Sequence, residues 1–273
     1  MLFLPVAFLL SVAGAQSPGY RPQPNYVTAG KPDQAEGARV LAEFRQAGIA
    51  GTYWLAFELR VMPRRGAETS VTGQMLGTRS DRGPLSRIVI GSERWLIQSG
   101  PQSSAWRASD TVPVHRLPVG ESLEPLAGTD LTVFDLQMPF FYWTDYVYEG
   151  LTRVRGRPAH GFVLYPPADL AAARPGLTGV RILVDSQFQA LVQAELLGMK
   201  AAVDKTISIL DLKKVGEHWI PQSIDFRNNL TRGKTRFTVT AAGLDLTLPE
   251  GTFAPDALGD PLPQIPPEKI EQL

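Results

Sequence analysis

Residues 188–197 read FQALVQAELL, a stretch in which apolar and polar side chains alternate. The apolar set is Phe188, Ala190, Val192, Ala194 and Leu196, and the polar set is Gln189, Gln193 and Glu195. Because successive side chains of a strand point to opposite faces, this alternation predicts a β-strand with one buried face. Strands of this kind are typical of antiparallel sheets, since parallel sheets are covered on both faces.

Similar stretches recur on both sides of this one. Further candidate strands occupy residues 53–61, 68–78, 87–91, 94–99, 146–153, 158–165, 180–185, 206–215, 219–227 and 234–241. Turn-forming sequences such as Arg155-Gly156 and Val215-Gly216 separate neighbouring strands. The close spacing predicts consecutive hairpins, and therefore an antiparallel meander rather than βαβ units.

Residues 32–47 carry the one clear amphipathic helix of the sequence. Ala38, Leu41 and Phe44 form its apolar stripe, and Gly48 ends it. One helix cannot cover a flat sheet of about ten strands, whereas a strongly curved, partly closed barrel with the helix in its mouth solves the covering problem. We therefore predict a mainly β fold, α+β by content, built on a curved antiparallel sheet.

Residues 131–148, LTVFDLQMPFFYWTDYVY, hold seven of the 24 aromatic residues of the chain, and we call them the aromatic segment. Pro139 interrupts any helix through it, and neither the helical period nor strict alternation organises its first half. Two interpretations follow from so much apolar surface in one connection. The segment is either a core plug between two halves of the sheet or the wall or lid of an apolar pocket.

The two ends of the chain differ in composition from its middle. Residues 1–15 form an uncharged apolar run ending in Ala13-Gly14-Ala15, which predicts a signal peptide cleaved after about Ala15 and a periplasmic, exported protein. We expect residues 16–31 to be a disordered leader, residues 32–258 the folded domain, and the Pro-rich residues 259–273 a disordered tail.

The sequence offers little to a catalytic interpretation. It has no cysteine, three widely separated histidines, and 27 basic residues against 27 acidic ones, which argues against thiol chemistry, a histidine metal site and nucleic-acid binding. There is no G-x-S-x-G elbow and no phosphate-binding glycine loop. We predict no catalytic residues, no metal and no cofactor, and hence not an enzyme; a carboxylate pair assembled by the fold stays open.

What is left is apolar surface, which is either ordinary core or the lining of a cavity that no side chain fills. On the second interpretation, the cavity residues are selected by size and apolarity. They are Leu55, Phe57, Leu59, Phe134, Phe140, Phe141, Trp143, Phe162 and Val192.

Five segments in order carry a resemblance to a known family: LTVFDLQMPFFYWTDYVYEG, VRGRPAHGFVLYPP, GVRILVDSQFQALVQAEL, KKVGEHWIPQSIDFRN and KTRFTVTAAGLDLTLPEGTFAPDAL. Together they resemble the outer-membrane lipoprotein-sorting proteins, with the LolA/LolB-like fold, in the wider uncharacterised branch of that family. The likeness spans about residues 34–258. Its most specific elements are the Leu136–Trp143 stretch and the hairpin Val184-Asp185-Ser186-Gln187-Phe188.

The resemblance implies an unclosed antiparallel β-barrel, with the N-terminal helix and a helical, aromatic lid over an apolar interior that holds acyl chains. It also implies a periplasmic carrier of lipoprotein or lipid acyl chains toward the outer membrane, with transient transport partners in both membranes. We expect a monomer. Arg60 and Arg87 are the candidates for the acyl-sensing arginine of the dedicated carriers. Three alternatives stay open: an envelope stress sensor or lipid-sensing regulator of the same fold, a carboxylate-pair hydrolase, and a structural envelope protein with a filled barrel.

Overall fold

The computed structural model describes residues 20–26 and 31–273, so the predicted signal peptide lies outside the described residues. The described residues form three α-helices, α1 (Gln34–Gln46), α2 (Val133–Gln137) and α3 (Ala168–Ala173). The strands are β1 (Tyr53–Met62), β2 (Thr69–Ser80), β3 (Gly83–Ile90), β4 (Glu93–Gln98), β5 (Ser104–Ala108), β6 (His115–Arg116), β7 (Tyr146–Val154), β8 (Arg157–Leu164), β9 (Gly179–Asp185), β10 (Leu191–Leu197), β11 (Val203–Val215), β12 (His218–Asn228), β13 (Lys234–Gly243) and β14 (Glu271–Gln272). In the described part of the chain, no helix has the length and apolarity that a membrane crossing requires.

All fourteen strands belong to one antiparallel sheet, in the order β6-β5-β4-β3-β2-β1-β13-β12-β11-β10-β9-β8-β7, with β14 added to β13. Neighbours in this order are mostly consecutive hairpins, and the pairing of β1 with β13 joins the two halves. Among the described residues, β6 and β7 each pair with one strand only. The sheet is therefore not closed, which confirms the predicted mainly β, unclosed antiparallel fold.

The inner face of the sheet carries the main core. Alternate residues of β1, Leu55, Phe57 and Leu59, are buried there. Val40, Leu41 and Phe44 of α1 join the same apolar cluster. Helix α1 approaches β7 closely at Gly37, where a Cβ atom would lie 2.4 Å from the Cβ of Tyr148. Helix α1, which the sequence predicts in the mouth of the barrel, therefore packs against the inner face of the sheet.

The outer face is covered by the end of the chain. Trp54 and Leu76 pack with residues that follow β13, among them Leu262, Ile265 and Ile270, and β14 pairs with β13. These residues are ordered, contrary to the disordered tail that the prolines predict, because widely spaced apolar side chains bury themselves against the sheet.

The described part of the predicted disordered leader also has partners. The guanidinium of Arg21 donates to both carboxylate oxygens of Asp145, at 2.6 and 2.8 Å. The Tyr165 hydroxyl donates to the carbonyl of Pro22 at 2.8 Å. Residues 20–26 therefore differ from the predicted disorder, since polar contacts hold them beside β7 and β8.

Strand β10 begins later than the alternation predicts. The carboxylate of Asp185 accepts hydrogen bonds from the backbone N–H groups of Gln187 and Phe188, at 2.8 and 2.9 Å, and this turn extends to Gln189, whose φ is +49°. Phe188 is consequently 49% exposed rather than on the inner face. The predicted alternation holds farther along, where Ala194 and Leu196 are buried.

Candidate functional site

The aromatic segment lies in the connection between the two free edges of the sheet. Strands β6 and β7 are consecutive in sequence but stand at opposite ends of the strand order. Residues 117–145 therefore run from one edge to the other, across the inner face. Phe134 and Phe140 of this connection are fully buried, and Trp143 is nearly so. The open side of the barrel, which we call the seam, is thus covered by the aromatic segment.

The local structure of the segment follows from its residues. Thr132 begins α2 with a capping box, in which its hydroxyl accepts from the backbone N–H of Asp135 and the Asp135 carboxylate accepts from the Thr132 N–H. Met138 ends α2 in the left-handed region, with φ +45°, and Pro139 starts a 3-10 turn that runs to Tyr142. Two short helical turns therefore meet at Met138.

A buried ion pair fixes α2 to the sheet. The Nζ of Lys205, on β11, lies 2.5 Å from Oδ2 of Asp135, and the two side chains are 9% and 1% exposed. The same ammonium donates to the carbonyl of Asp130 at 2.7 Å. Oδ1 of Asp135 has no hydrogen-bond partner among the described residues. Buried charges of this kind are tolerable only when paired.

Two further polar anchors hold the rest of the segment. The side-chain amide of Gln137 donates to the carbonyls of Gln98 and Ser104, at 2.9 and 3.1 Å. Arg45, at the end of α1, donates to the carbonyls of Phe141 and Trp143, at 2.6 and 3.1 Å. Burial lowers the pKa of Arg45. Helix α1 and the aromatic segment are therefore joined through backbone carbonyls.

The aromatic rings pack against one another and against α1. The rings of Phe44 and Phe141 meet edge to face, with centroids 4.8 Å apart. Phe140 makes similar contacts with Phe141 at 4.8 Å and Trp143 at 6.2 Å. Ring pairs at these separations are mutually attractive. The cluster is held mainly by dispersion and burial, with polar anchors at its ends.

A cavity of about 430 Å³, which we call the seam cavity, opens beside this cluster. One wall comes from β5, β6 and the residues after β6, another from α3, which follows β8, and a third from the aromatic segment. Its apolar lining is Leu117, Pro118, Val119, Phe134, Pro139, Trp143 and Leu170, with Ala105 and Pro167. Its polar lining is Ser103, Ser104, Arg116, Ser122, Gln137 and Asp169. The seam cavity thus lies between elements from the two sides of the open barrel.

Other depressions differ from the seam cavity in size and lining. A cavity of about 250 Å³ has apolar walls that include Trp95 and Val133, but three glutamates also line it, and one of them, Glu93, accepts a hydrogen bond from Arg107 at 2.8 Å. A depression of about 530 Å³ at the β1–β2 turn has mainly polar walls. No group of three or more His, Asp or Glu side chains in residues 20–26 and 31–273 is placed to hold a metal ion. The groove that holds Phe188 and Val192 is also apolar but has a volume of only about 240 Å³. We therefore take the seam cavity, at about 430 Å³, as the candidate site for an apolar ligand.

The predicted cavity residues are mostly brought together, but largely as packed core. Seven of them are buried in one cluster, Leu55, Phe57, Leu59, Phe134, Phe140, Trp143 and Phe162, and Phe141 packs against it. The ring of Phe57 stacks on Phe237 with centroids 4.6 Å apart, so the interior at that point is filled by side chains. Phe134 and Trp143 also line the seam cavity. Val192 lies apart, in a groove with Phe188.

Neither arginine candidate faces the interior. Arg60 is exposed and pairs with Glu68. Arg87 is buried on the outer face, where it donates to the carbonyls of Thr252 and Asp260 under the end of the chain, and burial lowers its pKa. Arg116, Asp169 and Leu170 are not among the predicted cavity residues. They lie on the short elements β6 and α3, where the sequence shows no periodic pattern.

Tyr148 and His160 form a polar contact between the sheet and α1, away from the seam cavity. The Tyr148 hydroxyl and Nδ1 of His160 are 2.8 Å apart. Burial raises the pKa of Tyr148 to about 12 and lowers the pKa of His160. This pair closes the inner face beside Gly37.

Comparison with known proteins places the chain in a family. Residues 110–260, more than half of the sequence, match a family model described as "Uncharacterized protein". The chain belongs to this family. No curated protein matches the sequence.

Several solved structures share the fold. A candidate outer-membrane lipoprotein-sorting protein domain from Vibrio parahaemolyticus superposes with a TM-score of 0.71 at 14% identity, over 82% of this chain and 97% of that one. A DUF1329 family protein from Desulfovibrio piger superposes with a TM-score of 0.72 at 15% identity, over 84% of this chain and 100% of that one. A LolA superfamily protein from Nitrosomonas europaea superposes with a TM-score of 0.59 at 14% identity, over 80% of this chain and 96% of that one. These similarities confirm that the family's fold is that of the lipoprotein-sorting proteins.

Proposed function

We propose that this protein is a non-catalytic carrier that holds the acyl chain of a lipid or lipoprotein at the seam of its open barrel. The observation that carries the proposal is the seam cavity itself, a space of about 430 Å³ whose apolar walls include Phe134, Trp143 and Leu170. Its volume falls within the range of roughly 300–1,000 Å³ that is usual for small-molecule sites. Aromatic and aliphatic walls of this kind bind hydrocarbon rather than polar substrates.

The binding energy available to such a carrier is large. Removing a sixteen-carbon chain from water is worth about 12 kcal/mol, at ~0.8 kcal/mol per methylene. Part of that energy is needed to move the aromatic segment aside, because its rings are already buried in the closed form. The net binding free energy is the gain from burying the acyl chain minus the cost of displacing the aromatic segment, and this difference keeps binding reversible.

The aromatic segment has the construction of a movable cover. Two helical turns meet at Met138, the aromatic rings contact one another, and Arg45 holds the backbone carbonyls of Phe141 and Trp143 beyond that residue. When the part of the segment beyond Met138 swings outward, the predicted cavity residues Leu55, Phe57 and Phe162, which lie on the sheet, become the lining of a longer apolar tunnel. The acyl chain replaces the rings of the segment against the inner face.

Export and direction of transport belong to the same proposal. The apolar residues 1–15 support a periplasmic protein cleaved after about Ala15. Structures of similar fold include a protein named for outer-membrane lipoprotein sorting and a LolA superfamily protein. We propose a monomeric carrier that moves its cargo toward the outer membrane with transient partners in the two membranes.

The test is native mass spectrometry of the protein purified from the periplasm, followed by lipid extraction and uptake of a fluorescent fatty acid. Bound phospholipid or acylated peptide, together with saturable uptake, is expected. Two exposed valines supply a variant and its control. Val119→Trp narrows the mouth of the seam cavity and should reduce fatty-acid uptake. Val112 does not line the cavity, so Val112→Trp should leave uptake unchanged. An empty protein that also takes up no fatty acid would overturn the proposal.

A further inference from the structure

Two opposite charges face the seam cavity from the two sides of the open barrel. Arg116 stands on the edge strand β6, and Asp169 on α3, beside the other edge. Both side chains are exposed. Within residues 20–26 and 31–273, neither forms an ion pair or a side-chain hydrogen bond, with each other or with another group. Surface arginines nearby behave differently, since Arg107 and Arg94 are paired with Glu93 and Asp110 at 2.8 Å.

The wall that carries Arg116 also supplies hydroxyl groups. Ser103 and Ser104 line the cavity on the same side, and their hydroxyls make no hydrogen bond to other described residues. A guanidinium with neighbouring hydroxyls is suited to a phosphate, which it binds through two parallel N–H donors. The carboxylate of Asp169, across the cavity, is an acceptor for a primary ammonium group.

The apolar part of the same cavity lies next to these charges. Phe134, Trp143 and Leu170 are buried, whereas Arg116 and Asp169 are exposed at the mouth. An amphiphile would therefore enter with its chain beneath the aromatic segment and its headgroup between the two charges. Among the described residues Arg116 and Asp169 are not paired with each other, and both line this one cavity.

We infer that the seam cavity selects an amphiphile with a phosphoethanolamine headgroup, whose phosphate contacts Arg116 and whose ammonium contacts Asp169. This inference rests on the proposed carrier function and names its ligand class. A glycerol headgroup leaves Asp169 without a cation beside an anionic lipid. A choline headgroup has no N–H to donate to the carboxylate. Both should bind more weakly than ethanolamine.

The experiment compares lysophospholipids that share one palmitoyl chain and differ only in headgroup: ethanolamine, choline and glycerol. Affinities for the full mature chain are measured by titration calorimetry below the micelle concentration. The ethanolamine lipid should bind at least about tenfold tighter than the glycerol lipid, as one charge-assisted hydrogen bond provides. Free phosphoethanolamine, the same headgroup without a chain, should bind far more weakly than the lipid.

Two variants separate the contributions of the charges. Asp169→Asn should reduce the difference between the ethanolamine and glycerol lipids, and Arg116→Gln should weaken all three lipids by about tenfold. Arg153→Gln and Asp256→Asn remove exposed, unbonded charges away from the cavity and should change nothing.

The outcomes distinguish this inference from the proposal on which it rests. Equal affinity for the three lipids would overturn headgroup selection while leaving an acyl-chain carrier. Equally tight binding of free phosphoethanolamine would overturn a lipid as the ligand. Binding of none of the lipids, and of no fatty acid, would overturn the proposed function itself.

Discussion

Lys205 and Asp135 form a buried ion pair of 2.5 Å that joins β11, in the middle of one half of the sheet, to the first helical turn of the aromatic segment. The carboxylate also closes the capping box of α2, so one side chain both begins the helix and fixes it to the barrel. The pair therefore fixes the first turn of the aromatic segment to the sheet.

Removing one partner of this pair should be costly. Lys205→Met leaves a buried carboxylate without its cation, and we expect the free energy of unfolding to fall by about 3–5 kcal/mol. Urea denaturation measures the loss. The double variant Lys205→Met with Asp135→Asn should recover a large part of it, because the uncompensated charge is gone. A single-variant loss below about 1 kcal/mol would show that the pair is not desolvated as the structure indicates.

The contact between α1 and the aromatic segment should control local opening. Arg45→Gln removes the charged donor to the carbonyls of Phe141 and Trp143. Amide hydrogen exchange of residues 141–146 should accelerate about tenfold, since a hydrogen bond from a charged group is worth roughly 1.5–3 kcal/mol. Arg39→Gln, an exposed arginine of the same helix that pairs with Glu43, is the control. Equal exchange in the two variants would contradict a role for Arg45.

Gly37 should tolerate no larger residue. Gly37→Ala places a methyl group 2.4 Å from Tyr148, and overpacking of about 1–3 kcal/mol outweighs the gain of about 1 kcal/mol in helix propensity. The melting temperature should fall. Gly120→Ala is a matched control, because a Cβ there meets nothing within 4 Å and the backbone is already in the right-handed helical region. Similar melting temperatures for both variants would show that α1 does not pack closely on β7.

His160 should make stability depend on pH. Burial lowers its pKa below the ordinary value of about 6.5, so the unfolded chain binds a proton more readily than the folded chain. The contribution of neutral, buried His160 to the free energy of unfolding is therefore complete above about pH 6.5. It is lost as the pH falls from there toward the pKa of His160 in the folded chain. Urea titrations between pH 5 and 8, a window of about three units, should show this slope and a smaller slope in His160→Asn. An unchanged slope in the variant would assign the pH dependence to other groups.

The parts of the fold that follow from local periodicity could be predicted from the sequence. Leu55, Phe57 and Leu59 alternate, and they lie on one buried face as expected. The sequence alternation also predicts a buried Phe188, but this side chain is exposed. The Asp185 carboxylate accepts hydrogen bonds from the backbone N–H groups of Gln187 and Phe188, and the chain turns there. A side-chain interaction of this kind overrides the alternation.

The candidate site could be predicted only in part. Phe134 and Trp143 attract notice by composition, whereas Arg116 and Asp169 are unremarkable surface residues in sequence. They meet at one cavity because the two edges of the sheet are brought together by the curvature of the whole barrel. Likewise, Ile265 and Ile270 bury the outer face although prolines surround them.

The central claim is that the aromatic segment must move for an acyl chain to enter, and a reversible cross-link tests it most directly. The chain has no cysteine, so Arg45→Cys on α1 and Tyr142→Cys on the part of the segment beyond Met138 can be joined by a cleavable bismaleimide, because the Arg45 guanidinium lies 5.9 Å from the centre of the Tyr142 ring. Arg94→Cys with Asp110→Cys, at another ion pair, is the control. Uptake of a fluorescent fatty acid should be lost when positions 45 and 142 are cross-linked and should return when the cross-link is cleaved. In the control variant, uptake should persist with the cross-link in place. Undiminished uptake with the segment cross-linked would contradict the account.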